Sequence, residues 1–114
     1  MGLRREKLAD QIRDILGQCF QAGAMNDPRL DGVTVTRVSI TSDLQLASIY
    51  FRLYDITDEA KKQALVGLES SKGFLRKKLA TSLTIRRVPS LRFFYDDAQD
   101  KLEHIEQILR KIKT

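Results

Sequence analysis

A chain of 114 residues, 42% hydrophobic and 31% charged, fits one domain with a modest core and excludes wholesale disorder. No apolar run approaches the roughly 18 residues of a membrane span, and the charged N-terminus, with Arg4, Arg5 and Lys7, lacks the apolar stretch of a secretory signal. One cysteine can form neither an internal disulfide nor a zinc site, so a cytoplasmic protein without cofactor or metal is expected, with no membrane contact.

The net charge is +5, from 20 basic and 15 acidic residues, and it is strongly segregated. Residues 70–95 hold Lys72, Arg76, Lys77, Lys78, Arg86, Arg87 and Arg92 and not one Asp or Glu, while the rest of the chain is slightly acidic. A Lys-rich helix is commonly no more than a solvated face. Twenty-six residues without an acid point instead to a polyanion partner, most often nucleic acid.

Residues 4–21 place Leu8, Ile12, Ile15, Leu16 and Cys19 on one side of a helix, which Gly23 and Asn26-Asp27-Pro28 bring to an end. Asp31-Gly32 is a turn signal. The β-branched run 33–40 follows, with apolar alternation that slips between Val35 and Val38, so a bulge is expected near Thr36-Arg37. After the short turn Thr41-Ser42-Asp43, residues 44–53 alternate Ala47, Ile49, Phe51 and Leu53 against Ser48, Tyr50 and Arg52, which predicts an antiparallel hairpin.

Thr57 is the expected cap of a helix reaching about Glu69 and burying Ala64, Leu65 and Leu68. Ser70-Ser71-Lys72-Gly73 interrupts it, Gly73 permitting a sharp bend, and a second helix over 74–82 turns Phe74, Leu75 and Leu79 inward and Arg76, Lys77 and Lys78 outward. Pro89 precedes a third strand with Leu91, Phe93 and Tyr95 on one face and Arg92 and Phe94 on the other. Asp96 or Asp97 caps a last helix, about 98–112, whose stripe of Ala98, Leu102, Ile105, Leu109 and Ile112 is expected to be buried with the rest. The sum is an α+β layout, a three-stranded sheet with helices on one face. With every stripe so used, none is left for a dimer seam and a monomer is expected.

No set of reacting groups emerges. His104 is isolated on the flank of the last helix, Cys19 lies inside an apolar stripe, and capping accounts for Asp96-Asp97 more simply than catalysis. No phosphate loop or dinucleotide fingerprint is present, so no catalytic residue and no small-molecule substrate is expected.

Several separated pieces, in order, resemble bacterial ribosome-binding factor A over residues 4–109. They are Asp27-Pro28-Arg29-Leu30 before Val33–Val38, Ser42-Asp43-Leu44 with Ala47 and Tyr50, Gly73-Phe74-Leu75-Arg76, Leu83-Thr84-Ile85-Arg86, and Val88-Pro89-Ser90-Leu91-Arg92-Phe93 with Asp96. The resemblance implies a KH-like domain of the second topological type, a single domain spanning 1–114 with an extra C-terminal helix. It implies a cytoplasmic assembly factor that binds the small ribosomal subunit and its 16S RNA, acts in late maturation including 5′-end processing, and matters most in the cold. No member is known as an enzyme. The KH Gly-x-x-Gly loop is missing, and Ser71-Lys72-Gly73 stands where the family carries an Ala-x-Gly kink.

The expected RNA surface is Lys72, Arg76, Lys77, Lys78, Arg86, Arg87 and Arg92, with Arg4, Arg5 and Lys7 as second-tier contacts diluted by Glu6 and Asp10. Phe94 has two readings, a packing residue or a stacking platform. A general KH-like RNA binder and a protein adaptor with a basic surface are the alternatives. A small hydrolase is a more remote one.

Overall fold

The computed structural model describes residues 2–21 and 25–113; Gly23 lies outside them. In chain order the elements are α1 (Gly2–Gln21), a single 3-10 turn (Pro28–Leu30), β1 (Thr34–Ile40), β2 (Leu46–Arg52), α2 (Asp58–Ser70), α3 (Lys72–Ser82), β3 (Ser90–Tyr95) and α4 (Ala98–Lys113). The sheet has the order β1-β2-β3, β1 antiparallel and β3 parallel to β2. The hairpin joins the antiparallel pair, whereas a parallel partner requires a long crossover, which α2 and α3 supply.

The sheet alternation decides where the core sits. Ala47, Ile49, Phe51, Leu91 and Phe93 all point to one face and are buried there against Ile12 and Leu16 of α1, Leu68 of α2, and Leu75 and Leu79 of α3. All three helices pack on this face, α1 along β1 and beside α3. The sequence slip in β1 is resolved by the expected bulge: Val35 pairs with Phe51 and Arg37 with Tyr50, so Thr36 has no partner opposite. Val35, Val38 and Ile40 thereby reach the core face and Arg37 turns to the other.

Thr57 caps α2, its hydroxyl accepting the Ala60 N–H at 3.2 Å, and Asp58 and Glu59 follow in the first turn. Asp27 caps the 3-10 turn and clasps the Arg29 guanidinium at 2.7 Å. That turn lies on Gly67 of α2, where an added Cβ would stand 3.0 Å from Leu30 and 3.2 Å from the Asp27 carboxylate. Gly67 is therefore the gap through which α2 admits the turn.

Three expectations are corrected. The bend between α2 and α3 falls at Ser71, with φ −95° and ψ 0°, and α3 starts at Lys72. Gly73 is an exposed helical residue, and a Cβ on it would meet nothing within 4 Å. The backbone N–H of Ser71 donates to Gly67 O and Leu68 O, both at 3.1 Å, and its hydroxyl donates to Gly67 O at 2.8 Å, so Ser71 itself closes α2. Phe74 is 42% exposed, because it stands about 100° around the helix from buried Leu75. The stripe of α4 is not buried: Leu102, Ile105, Ile108, Leu109 and Ile112 are all exposed. The premise that no apolar stripe remains unused is thus overturned. α4 is held at its base, where Arg52 donates to Asp96 O at 2.8 Å and pairs with Asp100 at 3.2 Å.

The bulge and the base of α4 are linked. The Thr36 hydroxyl donates to Asp96 Oδ2 at 2.6 Å, while Asp96 Oδ1 accepts the Ala98 N–H at 3.1 Å and so caps α4. These two hydrogen bonds, Thr36 foremost, hold the Asp96 carboxyl below its usual range, aided by the charges of Arg37 and Arg52. A depressed folded pKa contributes stability above the unfolded value of about 3.9 that is lost as pH falls through the folded one. Thr36→Val is expected to lower Tm at pH 7 by a few degrees, the loss of a hydrogen bond worth about 1 kcal/mol. Thermal melts at pH 7 and below pH 3 check this: the gap between variant and wild type should shrink at the acid end.

Candidate nucleic-acid interface

Helix α3 organises the basic segment by its own periodicity. At about 100° per residue, buried Leu75 and Leu79 fix the inner side. Lys77 then points directly outward, Lys78 and Phe74 lie on one flank, and Arg76 lies on the other. Phe74, Lys77, Lys78 and Thr81 line a shallow groove of about 310 Å³. An exposed ring between two ammonium groups is absent from the expected site, and its signal was the helical angle between Phe74 and Leu75.

The structure divides the expected set. Lys77 and Lys78 are exposed and form no ion pair among the described residues, and the same holds for Arg86 and Arg87 on the loop after α3. Arg76 reaches across to donate to Val88 O at 3.3 Å, so it also anchors that loop. Lys72 is half-buried and pairs with Glu69 at 2.8 Å, which neutralises it locally. Lys72 and Arg92 share a cleft of about 490 Å³ with Asp43 and Ser90, at the hairpin end of the sheet.

Arg4, Arg5 and Lys7 lie in the first turns of α1, at the other end of that helix from Cys19. Lys78 approaches Cys19 near the far end of α1, about 22 Å along that helix from Arg4 at 1.5 Å per residue. Cys19 is buried, and burial pushes its thiol up despite the nearby charge of Lys78, which suits a packing residue and not a nucleophile. His104 is exposed on α4. Among the described residues no group of three or more His, Cys, Asp or Glu could hold a metal ion, and no helix is long and apolar enough to cross a membrane.

The opposite sheet face carries residues that the basic-segment reading left out. Arg37 lies 4.0 Å over the Tyr50 ring, and Tyr50 stacks on Phe94 with centroids 5.5 Å apart. Phe94 is thus 41% exposed on the open face, packed on Tyr50 and outside the core.

A mixed three-stranded sheet backed by helices on one face, with unpaired cations on the crossover, defines a small α+β domain of KH-like layout. The sequence model of the family described as ribosome-binding factor A matches residues 4–109. A ribosome-binding factor A of Pelobacter propionicus is 43% identical over 114 residues, covering 100% of this chain and 92% of the relative. The crystal structure of ribosome-binding factor A from Thermus thermophilus superposes with a TM-score of 0.70 at 30% identity, over 80% of this chain and 93% of that one. A homology model of the Thermus thermophilus protein, fitted into the cryo-EM map of a 30S complex, superposes with a TM-score of 0.64 at 29% identity, over 78% and 91%. The chain belongs to the ribosome-binding factor A family.

Gly73 offers a direct test of the kink. Gly73→Ala is expected to raise stability by a few tenths to about 1 kcal/mol, because its backbone is helical and its Cβ meets open space. Chemical denaturation measures the gain. A loss would return the bend to Gly73.

Proposed function

We propose that the chain is a non-catalytic assembly factor that binds the small ribosomal subunit through its 16S RNA in late maturation, including 5′-end processing. On this reading it works as one RNA-binding domain, a monomer in the cytoplasm, and matters most in the cold. The observation that carries the reading is the run of exposed cations, Lys77, Lys78, Arg86 and Arg87, on a crossover without an acidic partner. Membership of the family supports the ribosomal target, as does the Thermus thermophilus relative fitted into a 30S map.

Phosphate contacts from these side chains supply affinity and make it salt-dependent. Phe74 between Lys77 and Lys78 adds an apolar surface for a ribose or an unpaired base. Lys72 contributes less than its position suggests, since Glu69 already holds it. Binding of a folded RNA helix at this face acts by steric and conformational means, holding the RNA in an immature arrangement until assembly proceeds.

Co-sedimentation with purified small subunits, large subunits and assembled ribosomes tests the reading at low and moderate salt. Selective binding to small subunits is expected. Lys77→Glu/Lys78→Glu should weaken it at least about tenfold and flatten the logarithmic salt slope by about 2. Arg4→Glu/Arg5→Glu should have the smaller effect. Equal binding to all three particles, or full binding by the Lys77/Lys78 variant, would overturn the proposal.

A further inference from the structure

All the packed helices lie on one side of the sheet, so its other face is open. The positions on it are Thr34, Arg37 and Ser39 of β1, Leu46, Ser48, Tyr50 and Arg52 of β2, and Ser90, Arg92 and Phe94 of β3. Three arginines stand there with no carboxylate, because no strand residue is acidic. The nearby acids are committed: Asp96 takes the Thr36 hydroxyl and caps α4, Asp100 pairs with Arg52, and Asp43, which shares a cleft with Arg92, accepts the Thr41 hydroxyl at 2.6 Å and the Gln45 N–H at 3.1 Å.

Across the middle of this face the strands set Arg37 opposite Tyr50 and Tyr50 opposite Phe94. The result is a column: guanidinium over phenol, phenol against phenyl. It ends at Phe94, which lies on the edge strand and is 41% exposed. The neighbouring row is Ser39, Ser48 and Arg92, two small side chains and an exposed guanidinium with no ion partner among the described residues. An aromatic column beside a flat serine floor, bounded by an arginine, matches what an unpaired nucleotide needs. A ring can stack on Phe94, and Arg92 is within reach of its phosphate.

We propose that this open face is a second RNA contact, one that takes single-stranded nucleotides by stacking on Phe94 at the free end of the column, which Tyr50 and Arg37 back, with Arg92 neutralising the backbone. It rests on the reading of the chain as an RNA binder and adds a different kind of RNA to it. The helix face meets phosphates of folded RNA, and the sheet face meets bases.

Fluorescence anisotropy with a ten-nucleotide oligoadenylate RNA, beside an abasic oligomer of the same length and charge, separates stacking from charge. The whole protein is expected to bind the adenine oligomer at least about fivefold more tightly than the abasic one, as one stacked base would give. Phe94→Leu keeps an apolar side chain and should erase that preference at an unchanged melting temperature, and Arg92→Gln should weaken both oligomers alike. Lys77→Glu/Lys78→Glu should keep the preference while losing small-subunit binding. Ring protons of Phe94 should move upfield in NMR spectra on adding the adenine oligomer. Equal binding of the two oligomers by wild type would overturn the proposal and leave the face to a protein partner. Retention of the preference by Phe94→Leu, or its loss in the Lys77/Lys78 variant, would overturn it too. A base preference without any subunit binding would sink the ribosomal assignment and leave this inference standing.

Discussion

The parallel pairing of β2 with β3 governs the rest of the molecule. Strands that run the same way cannot be joined by a tight turn, so the chain between Arg52 and Ser90 must travel back along the sheet before pairing again. It does so as α2 and α3, on the side where Phe51, Ile49 and Phe93 await cover. With α1 beside α3 on that same side, one face of the sheet is closed by helices and the other carries none. The two surfaces with chemistry, a cationic helix flank and an aromatic sheet face, both follow from that asymmetry.

The bend at Ser71 is what makes the crossover fit. A single residue at the margin of helical geometry, Ser71 with φ −95° and ψ 0°, ends α2 and starts α3, since Ser71 N–H closes the first helix and Ser71 O accepts the Leu75 N–H of the second at 3.0 Å. Leu68 before the bend and Leu75 and Leu79 after it are all fully buried. A straight helix would hold its apolar stripe along one line. The bend lets two helices press on one core while α3 turns Lys77 and Lys78 outward. Lys77 and Lys78 form no ion pair among the described residues, unlike Lys72, where Glu69 one turn earlier intervenes.

Much of this was legible in the residues. The slip between Val35 and Val38 fixed a bulge because side chains alternate with a period of two, and the core face admits no exception. Thr57, Asp96 and Pro89 mark boundaries through local hydrogen bonding or its absence, and local signals survive into the fold. Phe74 misled because hydrophobicity says nothing of angle: a ring beside Leu75 along the chain lies a quarter-turn away around the helix. Gly73 misled because glycine permits a bend without demanding one, while Ser71 can close a helix with its own hydroxyl. The stripe of α4 misled because amphipathic spacing shows that a face suits burial, and not which surface lies opposite. Arg37 and Tyr50 came together only through the bulge, by a pairing that no window of sequence contains.

The sheet has three strands, so two of them are edges, and each edge offers backbone groups on which a foreign strand could pair. β1 answers with the bulge at Thr36, which breaks the ladder in mid-strand and adds local twist. β3 answers with a proline immediately before it and the exposed charge of Arg92. These features protect a basic, partly aromatic sheet from growing into its neighbours while many copies are being synthesised side by side. The irregularity that puts Arg37 on the open face is therefore also a guard against self-association, and straightening β1 by deleting a residue would remove both at once.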